Sequence, residues 1–355
     1  MKKIPKSIQL FIKGFISLAF FSVLLSFVQG NELAKVFAQV NWFYMAITFG
    51  VTLVMVLASC AKWKLILDLK EDISFFKLFK IYLVGYFFSN ILPSTVGGDV
   101  VRSYYAGKLI ENQSYSAVSV FVERFSGIVF LFLLVAVAPL FQSHLYTNPY
   151  IFVPACAGLC FALVTGWIWK AKNPFHIPNL IAEKIFLILQ ALAKRMNSQL
   201  LLKLTNSLEN IYRKILGRLK KVREELGIAI AAIKTDKGFL YRLIFLTLFF
   251  YLLTWVNVYT SFMAFDVEVD FIKICAIVPA IMLVAHVPVT LLGNLGYFES
   301  VFVFYFLLVG VGGAESLAMG LLLRIKMLTM GIVGFATYLV YKQKNKLHLT
   351  GNKEK

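Results

Sequence analysis

Charged residues are scarce in this sequence, and their scarcity excludes an ordinary soluble domain. Only 15% of the 355 residues carry a charge, whereas about 25% is usual in a soluble domain. The hydrophobic share is 59%, and a soluble core of this length could not bury so much apolar surface. The bilayer is the solvent that fits this composition, so we expect an integral membrane protein.

Cysteine is also rare, and familiar catalytic motifs are missing. The sequence contains no P-loop, no nucleophile elbow, no metalloprotease helix and no Cys/His cluster. All four cysteines lie inside apolar segments, where packing is their simplest role: Cys60, Cys156, Cys160 and Cys275. We therefore expect no metal site and no cofactor, and the sequence offers no motif on which to predict an enzyme.

Acidic residues are few, 18 against 36 lysines and arginines, which gives a net charge of +18. A strongly basic chain can bind nucleic acid. Here, however, the basic residues lie in the gaps between apolar segments, as they do in the cytoplasmic loops of membrane proteins. We therefore expect membrane lipids with anionic headgroups as partners, and no nucleic acid.

Six apolar segments are long enough to cross a bilayer, which takes about 20 residues. They are 10–28, 42–61, 125–141, 151–169, 239–265 and 316–341, and a further segment, 271–292, has the length to span but is broken by Pro279 and Pro288. The lysine-rich loop 62–80 and the basic stretch 170–238 then fall on one side, which the positive-inside rule makes cytoplasmic. This pattern predicts an all-α, polytopic transmembrane helix bundle in the plasma membrane, with both termini in the cytoplasm.

The sequence is consistent with one membrane domain over 1–345 and a cytoplasmic tail over 346–355. Within that domain, the insert 170–238 contains a basic amphipathic helix, because apolar residues such as Leu204 and Leu208 recur every three or four positions. Such a helix lies on anionic headgroups or packs against the cytoplasmic ends of the bundle, and the sequence leaves both open.

Other apolar segments are too short to cross, and they flank breaks rich in proline and glycine. Segments 81–92 and 116–122 surround the break at 93–99, and the chain there must cross an even number of times. Two half-spans that meet at the break as one re-entrant hairpin satisfy this condition. A second hairpin of opposite orientation is expected around 293–299. Matching breaks in two halves predict an inverted repeat with a site near the midplane.

Charged residues accompany both breaks, at depths where ionisable groups are costly. A cation at the bilayer centre costs about 2.5 to 3.5 kcal/mol even on the lenient insertion scale. We expect the arginines, with the N–H groups of Gly97 and Gly98, to hold the phosphate of a lipid headgroup. The candidate binding residues are Asn90, Pro93, Gly97, Gly98, Asp99, Arg102, Glu123, Arg124, Glu299, Arg324 and Lys326.

Two other interpretations of these charges stay open. In one, Asp99, Glu123 and Glu299 pair with the cations only to hold the bundle together. In the other, Arg324 and Lys326 extend from the end of a short helix to the membrane interface.

Two motifs resemble the transmembrane region of lysylphosphatidylglycerol synthases, a flippase-like domain that also occurs alone. The first is NILPSTVGGDVVR at 90–102 followed by Glu123-Arg124, and the second is the turn 288–296 closed by Glu299. The resemblance extends over 7–341. It implies about eight spanning helices with two re-entrant elements, and movement of a lipid across the bilayer.

We therefore expect a flippase or transporter for an anionic phospholipid or a polyprenyl-phosphate-linked lipid. Full-length synthases carry a soluble aminoacyl-transferase domain after this region, whereas this chain ends soon after its last span, so the resemblance does not carry over lysyl transfer. Two alternatives remain, a membrane subunit of a lipid-modifying enzyme and a scaffold for cell-envelope assembly. A second copy of the chain or a separate envelope-biosynthesis enzyme are further candidate partners.

Overall fold

The computed structural model describes residues 22, 30–92, 97–170, 186–191, 205, 207–210, 212–213, 231, 235–287, 289 and 294–351. These residues are largely helical, and no strand occurs among them, which confirms the all-α class. The helices are α1 (Gly30–Ala38), α2 (Trp42–Leu67), α3 (Phe75–Ile91), α4 (Gly97–Leu109), α5 (Gln113–Val137), α6 (Pro149–Lys170), α7 (Lys237–Met263), α8 (Phe271–Ala285), α9 (Tyr297–Leu308) and α10 (Gly313–Gly351), with a 3-10 segment at Ala138–Thr147. The expected span 10–28 and most of the basic insert 170–238 lie outside the described residues.

Five described helices are long and apolar enough to cross a membrane, which confirms a polytopic membrane protein. They are α2, α5 with the start of the 3-10 segment, α6, α7 and α10. In one detail the sequence-based prediction is wrong, because the short segment 116–122 and the span that follows it form the single helix α5. Asn112 caps this helix by accepting a hydrogen bond from the Tyr115 amide (2.9 Å). The Glu123-Arg124 pair lies inside the helix and interrupts nothing.

The first hairpin consists of α3 and α4, with 17 and 13 residues, both shorter than a spanning helix. Its return limb is therefore the polar segment Gly97–Leu109. The two helices are antiparallel and in close contact, because a Cβ on Gly98 would lie 2.0 Å from Ser89 Oγ and 2.2 Å from the Gly85 carbonyl oxygen. One turn further on, Arg102 lies beside Gly85. The polar limb is tolerated at this depth because it packs between α3 and α5.

The second hairpin consists of α8 and α9, with 15 and 12 residues. Near its turn, the Tyr297 hydroxyl donates to the Val284 carbonyl (3.0 Å), and at its open end the Lys273 amine donates to the Val309 carbonyl (3.1 Å). These contacts make the two helices antiparallel. Asn294, in the left-handed region at φ 64°, closes the turn by donating to the carbonyls of Ala285 and Val287.

The chain contains an inverted repeat, in which α2 to α5 correspond to α7 to α10. Each unit is a long helix, a hairpin of two short helices and a second long helix. Helices α2 and α7 pack against each other in opposite directions, since the Asn41 amide at the start of α2 donates to the Ala264 carbonyl just past the end of α7 (2.9 Å). At the other end, Ile66 packs with Phe239. The two units therefore run in opposite senses.

Helix α10 lies at the centre of the bundle. It packs against α1, α3, α7 and α9, and 56% of its spanning stretch is buried, against 17% for the peripheral α6. Its approach to α3 is close because Gly334 faces the Leu83 carbonyl, where a Cβ would lie 2.1 Å from the oxygen. Ser316, Arg324 and Lys326 on α10 are buried and therefore face protein rather than lipid.

Candidate functional site

The first hairpin gathers four of the predicted charges into one network. Arg102 donates from Nε to Asp99 (3.0 Å) and from Nη2 to Glu123 (2.6 Å). Arg124 donates to both oxygens of Asp99, each at 3.0 Å. Asp99 therefore bridges two arginines, and the bidentate geometry is the strong form of this interaction.

Arg102 is the most deeply buried member of the network, with 2% of its surface exposed. Its guanidinium lies between the rings of Trp63 and Tyr82, at 4.8 and 4.9 Å from their centroids. Trp63 is itself fixed, because its indole N–H donates to Ser119 (2.9 Å). One guanidinium nitrogen, Nη1, is buried with no hydrogen-bond acceptor among the described residues. A buried donor of this kind is costly, so the site has capacity for a further oxygen ligand.

Lys62 is a member of this site that the sequence analysis missed. It was counted with a cytoplasmic loop, but α2 continues to Leu67, so Lys62 lies inside the helix with 6% of its surface exposed. Its amine is close to Gly127 of α5, where a Cβ would lie 3.5 Å from Nζ. No ion pair or hydrogen bond to the amine is found in the described part of the chain. The only signal in the sequence was its place at the end of an apolar run.

The charges of this site do not balance. Lys62, Arg102 and Arg124 face Asp99 and Glu123, which leaves one positive charge in excess. The side chain of Arg124 is 51% exposed, so one edge of the network is open to the surroundings. A site with surplus positive charge and unused N–H donors is suited to an anion with several oxygens, such as a phosphate.

The second hairpin holds a smaller and sealed pair. Glu299 is fully buried and accepts a hydrogen bond from Arg324 Nε (2.7 Å). Its other oxygen accepts from the Gly296 amide (2.8 Å), which caps α9. The Arg324 guanidinium lies over the Phe298 ring, 5.2 Å from its centroid.

The two hairpins place their acid and arginine at equivalent positions. Asp99 and Glu299 are each the third residue of the second short helix. Each is bonded to an arginine 25 residues further along the chain, Arg124 or Arg324. Both arginines lie eleven residues after the start of their long helices. The inverted repeat is thus visible in single side-chain contacts.

Lys326 lies apart from both networks. Its amine donates to Thr48 Oγ1 (2.7 Å), to Ser261 Oγ (2.8 Å) and to Asn257 Oδ1. These three oxygens, contributed by α2 and α7, are called the oxygen cage below. Only 1% of Lys326 and 7% of Arg324 are exposed, on a helix that continues well past both. The interpretation in which these two residues extend to the membrane interface is therefore wrong.

The remaining candidates are structural neighbours of these groups. Asn90 ties the first hairpin to α10, because its amide donates to the Met327 carbonyl (3.0 Å). Gly98 packs against α3, and Gly97 against the side chain of Leu92. Pro93 lies outside the described residues. Within the ranges described, no group of three His, Cys, Asp or Glu side chains could hold a metal ion.

Fold and sequence together define a polytopic helical membrane protein with an inverted repeat. The chain belongs to the lysylphosphatidylglycerol synthase TM region family, which matches residues 10–334. A curated relative is the UPF0104 membrane protein MJ1595 of Methanocaldococcus jannaschii, 31% identical over 190 residues. The match covers 52% of this chain and 52% of that relative, so the chain spans about half the length of the relative. No solved structure matches the chain.

Proposed function

We propose that this protein is a lipid flippase or transporter that moves an anionic phospholipid or a polyprenyl-phosphate-linked lipid across the plasma membrane. The observation that carries the proposal is the surplus positive charge buried beside the first hairpin, where Lys62 and Arg102 Nη1 have no acceptor among the described residues. A cation buried at this depth is costly and usually functional.

The headgroup phosphate would bind between Lys62, Arg102 and Arg124. Arg124 is the most exposed of the three, and Asp99 is its acid among the described residues, so we expect it to meet the phosphate first. The phosphate then replaces Asp99 as the acceptor of Arg124 and takes the unused donors of Arg102 and Lys62. Asp99 and Glu123 neutralise the cations while no lipid is bound, which keeps the empty site stable.

The inverted repeat supports transport rather than static binding. Two inverted units can exchange conformations. This exchange opens a central site first to one side of the membrane and then to the other. The re-entrant hairpin would place the site near the midplane, where a headgroup in transit needs polar contacts. The segment 64–80, which joins α2 to α3 and carries four lysines, and the termini would lie in the cytoplasm under the positive-inside rule.

The test is translocation of headgroup-labelled lipids in proteoliposomes that contain the purified full-length protein, over a panel of anionic phospholipids and polyprenyl phosphates. We expect Arg102→Ala, Asp99→Ala and Lys62→Met to abolish translocation while the proteins still insert and fold. The matched control is Lys80→Ala, which removes an exposed cation from the same hairpin and should leave the rate unchanged. Rates equal to wild type in all three site variants would reject this site.

Two other functions are decided by the same preparation. If the wild-type protein chemically modifies a lipid without moving it, it acts as a subunit of a lipid-modifying enzyme. If it neither moves nor modifies any lipid in the panel, the scaffold interpretation is favoured.

A further inference from the structure

The strongest feature outside the proposed lipid site is the buried ammonium of Lys326. It is 1% exposed, and no carboxylate of the described residues forms an ion pair with it. The two deeply buried arginines differ, since Arg102 bonds Glu123 and Arg324 bonds Glu299. A lone lysine charge at mid-helix is costly to bury, and ionisable groups in such places are usually functional.

The oxygen cage around this amine can accept it charged or neutral. A protonated lysine donates three hydrogen bonds, which match the three oxygens of Thr48, Asn257 and Ser261. Either of the two hydroxyls can also turn and donate to the single lone pair of a neutral amine, because a hydroxyl is both donor and acceptor. They already lie 2.9 Å from each other. A carboxylate in the same place would hold the lysine in its charged form.

Among the described residues, the helices around the amine bring no other charged group to it. Helices α2 and α7 contribute the cage together with Thr52 and Met55, which bind the amide of Asn257. The charged residues of α2 and α7 lie towards the opposite end of these helices (Lys62, Lys64, Lys237 and Arg242). Those of α1 are exposed (Glu32 and Lys35), and those of α3 lie near its start (Lys77 and Lys80). Glu299 of α9 is bonded to Arg324 of α10.

We propose that Lys326 and its oxygen cage form a proton-binding site, and that loading and release of this proton drive the movement of lipid. The step is the loss of one proton from the ammonium to water on one side of the membrane and its recovery from water on the other side. The inference rests on the proposed function, because it supplies the energy for that transport.

Helix α10 connects this proton to both hairpins. Two residues before Lys326, Arg324 bonds the acid of the second hairpin (2.7 Å), and one residue after it, the Met327 carbonyl accepts from Asn90 of the first hairpin (3.0 Å). The cage itself is formed by α2 and α7, which pack against each other where the two inverted units meet. A change in the charge of Lys326 therefore alters the contact between α10 and both units at once.

Two variants fix the protonation state in opposite ways. Lys326→Met removes the titrating amine and leaves a neutral side chain of similar length. Asn257→Asp adds a carboxylate to the cage, which keeps Lys326 protonated. The matched control is Thr247→Val, which removes a buried hydroxyl from the same helix α7 but far from the cage.

The readout is the initial rate of lipid translocation in proteoliposomes, measured from acidic to alkaline pH and with a proton gradient in either direction. For the wild type and Thr247→Val we expect a rate that changes severalfold with pH and responds to the gradient. For Lys326→Met and Asn257→Asp we expect loss of both responses. A wild-type rate independent of pH and gradient, or a wild-type pH profile in Lys326→Met, would overturn the proton site and leave the flippase proposal intact.

A second readout does not depend on transport. The unfolding temperature of the detergent-solubilised protein is measured against pH for the wild type and for Lys326→Met. If Lys326 exchanges a proton in the folded protein, the difference between the two temperatures changes with pH. A constant difference contradicts the proton site, and this holds even if the protein moves no lipid in the panel. Absence of lipid movement would by itself reject only the proposed function.

Discussion

The two hairpins share one architecture but differ in how their charges are balanced. In the first, four charged residues surround Arg102, one positive charge is in excess, and Arg124 is half exposed. In the second, the Glu299–Arg324 pair is neutral and sealed from its surroundings. The difference arises at equivalent positions, because Phe302 and Leu323 occupy in the second unit the places of Arg102 and Glu123 in the first.

This difference assigns separate roles to the two units. A neutral, deeply buried ion pair stabilises one arrangement of the helices and offers no surplus charge to an anion. A site with surplus charge and unused donors is stable only while its acids compensate it, and it gains contacts when an anion arrives. We infer that the first hairpin binds and the second holds α10 in place. The three predictions below test that division.

The largest expected effect is on the sealed pair. Glu299→Gln leaves Arg324 buried without its carboxylate, and breaking a buried pair in this way costs about 3 to 5 kcal/mol of the free energy of unfolding. The measurement is thermal or denaturant unfolding in detergent. The exposed acid at the base of the same hairpin serves as the control, and Glu268→Gln should change the free energy by less than about 0.5 kcal/mol.

The double variant Glu299→Gln/Arg324→Met should recover much of this loss, because it removes the buried charge that the single variant leaves. If Glu299→Gln is as stable as wild type, the second hairpin does not hold α10 in place. The comparison between the two units would then fail.

A smaller effect is expected from Gly98→Ala in the first hairpin. The added Cβ would lie 2.0 Å from Ser89 Oγ and 2.2 Å from the Gly85 carbonyl oxygen. The serine side chain can turn away, but the backbone oxygen cannot, so the two helices must separate at a cost of about 1 to 3 kcal/mol. Unfolding in detergent measures it, and Gly166→Ala, which has open space around it, should not destabilise the protein.

The smallest effect on stability is expected from Arg124→Ala, because its side chain is half exposed and such pairs contribute at most about 1 kcal/mol. Lipid translocation should nevertheless fall at least about tenfold, equivalent to about 1.4 kcal/mol. Arg124→Lys tests whether translocation needs the planar guanidinium, since it keeps the charge but loses the bidentate contact with Asp99. Equal loss of stability in Arg124→Ala and Arg324→Ala would mean that the two arginines contribute equally to stability, which contradicts their separate roles.

Much of the candidate site could be predicted from the sequence. Asp99, Arg102, Glu123 and Arg124 were all named, because charges beside a proline- and glycine-rich break inside an apolar region are a local signal. Lys62 was not, because its importance depends on α2 extending past it and on the approach of Gly127 from another helix. The return limb of the first hairpin was also misplaced, since a polar helix can enter the membrane only where other helices cover it.

Hydrophobic length and charge placement, both local properties of the chain, already determine a polytopic helical membrane protein and the positions of its two breaks. Tertiary structure alone decides which charges are balanced. Lys326 and Thr48 are 278 residues apart in sequence but 2.7 Å apart in space, and Arg102 meets Glu123 across two helices. The cost of a buried charge depends on such neighbours, and no local pattern of residues records them.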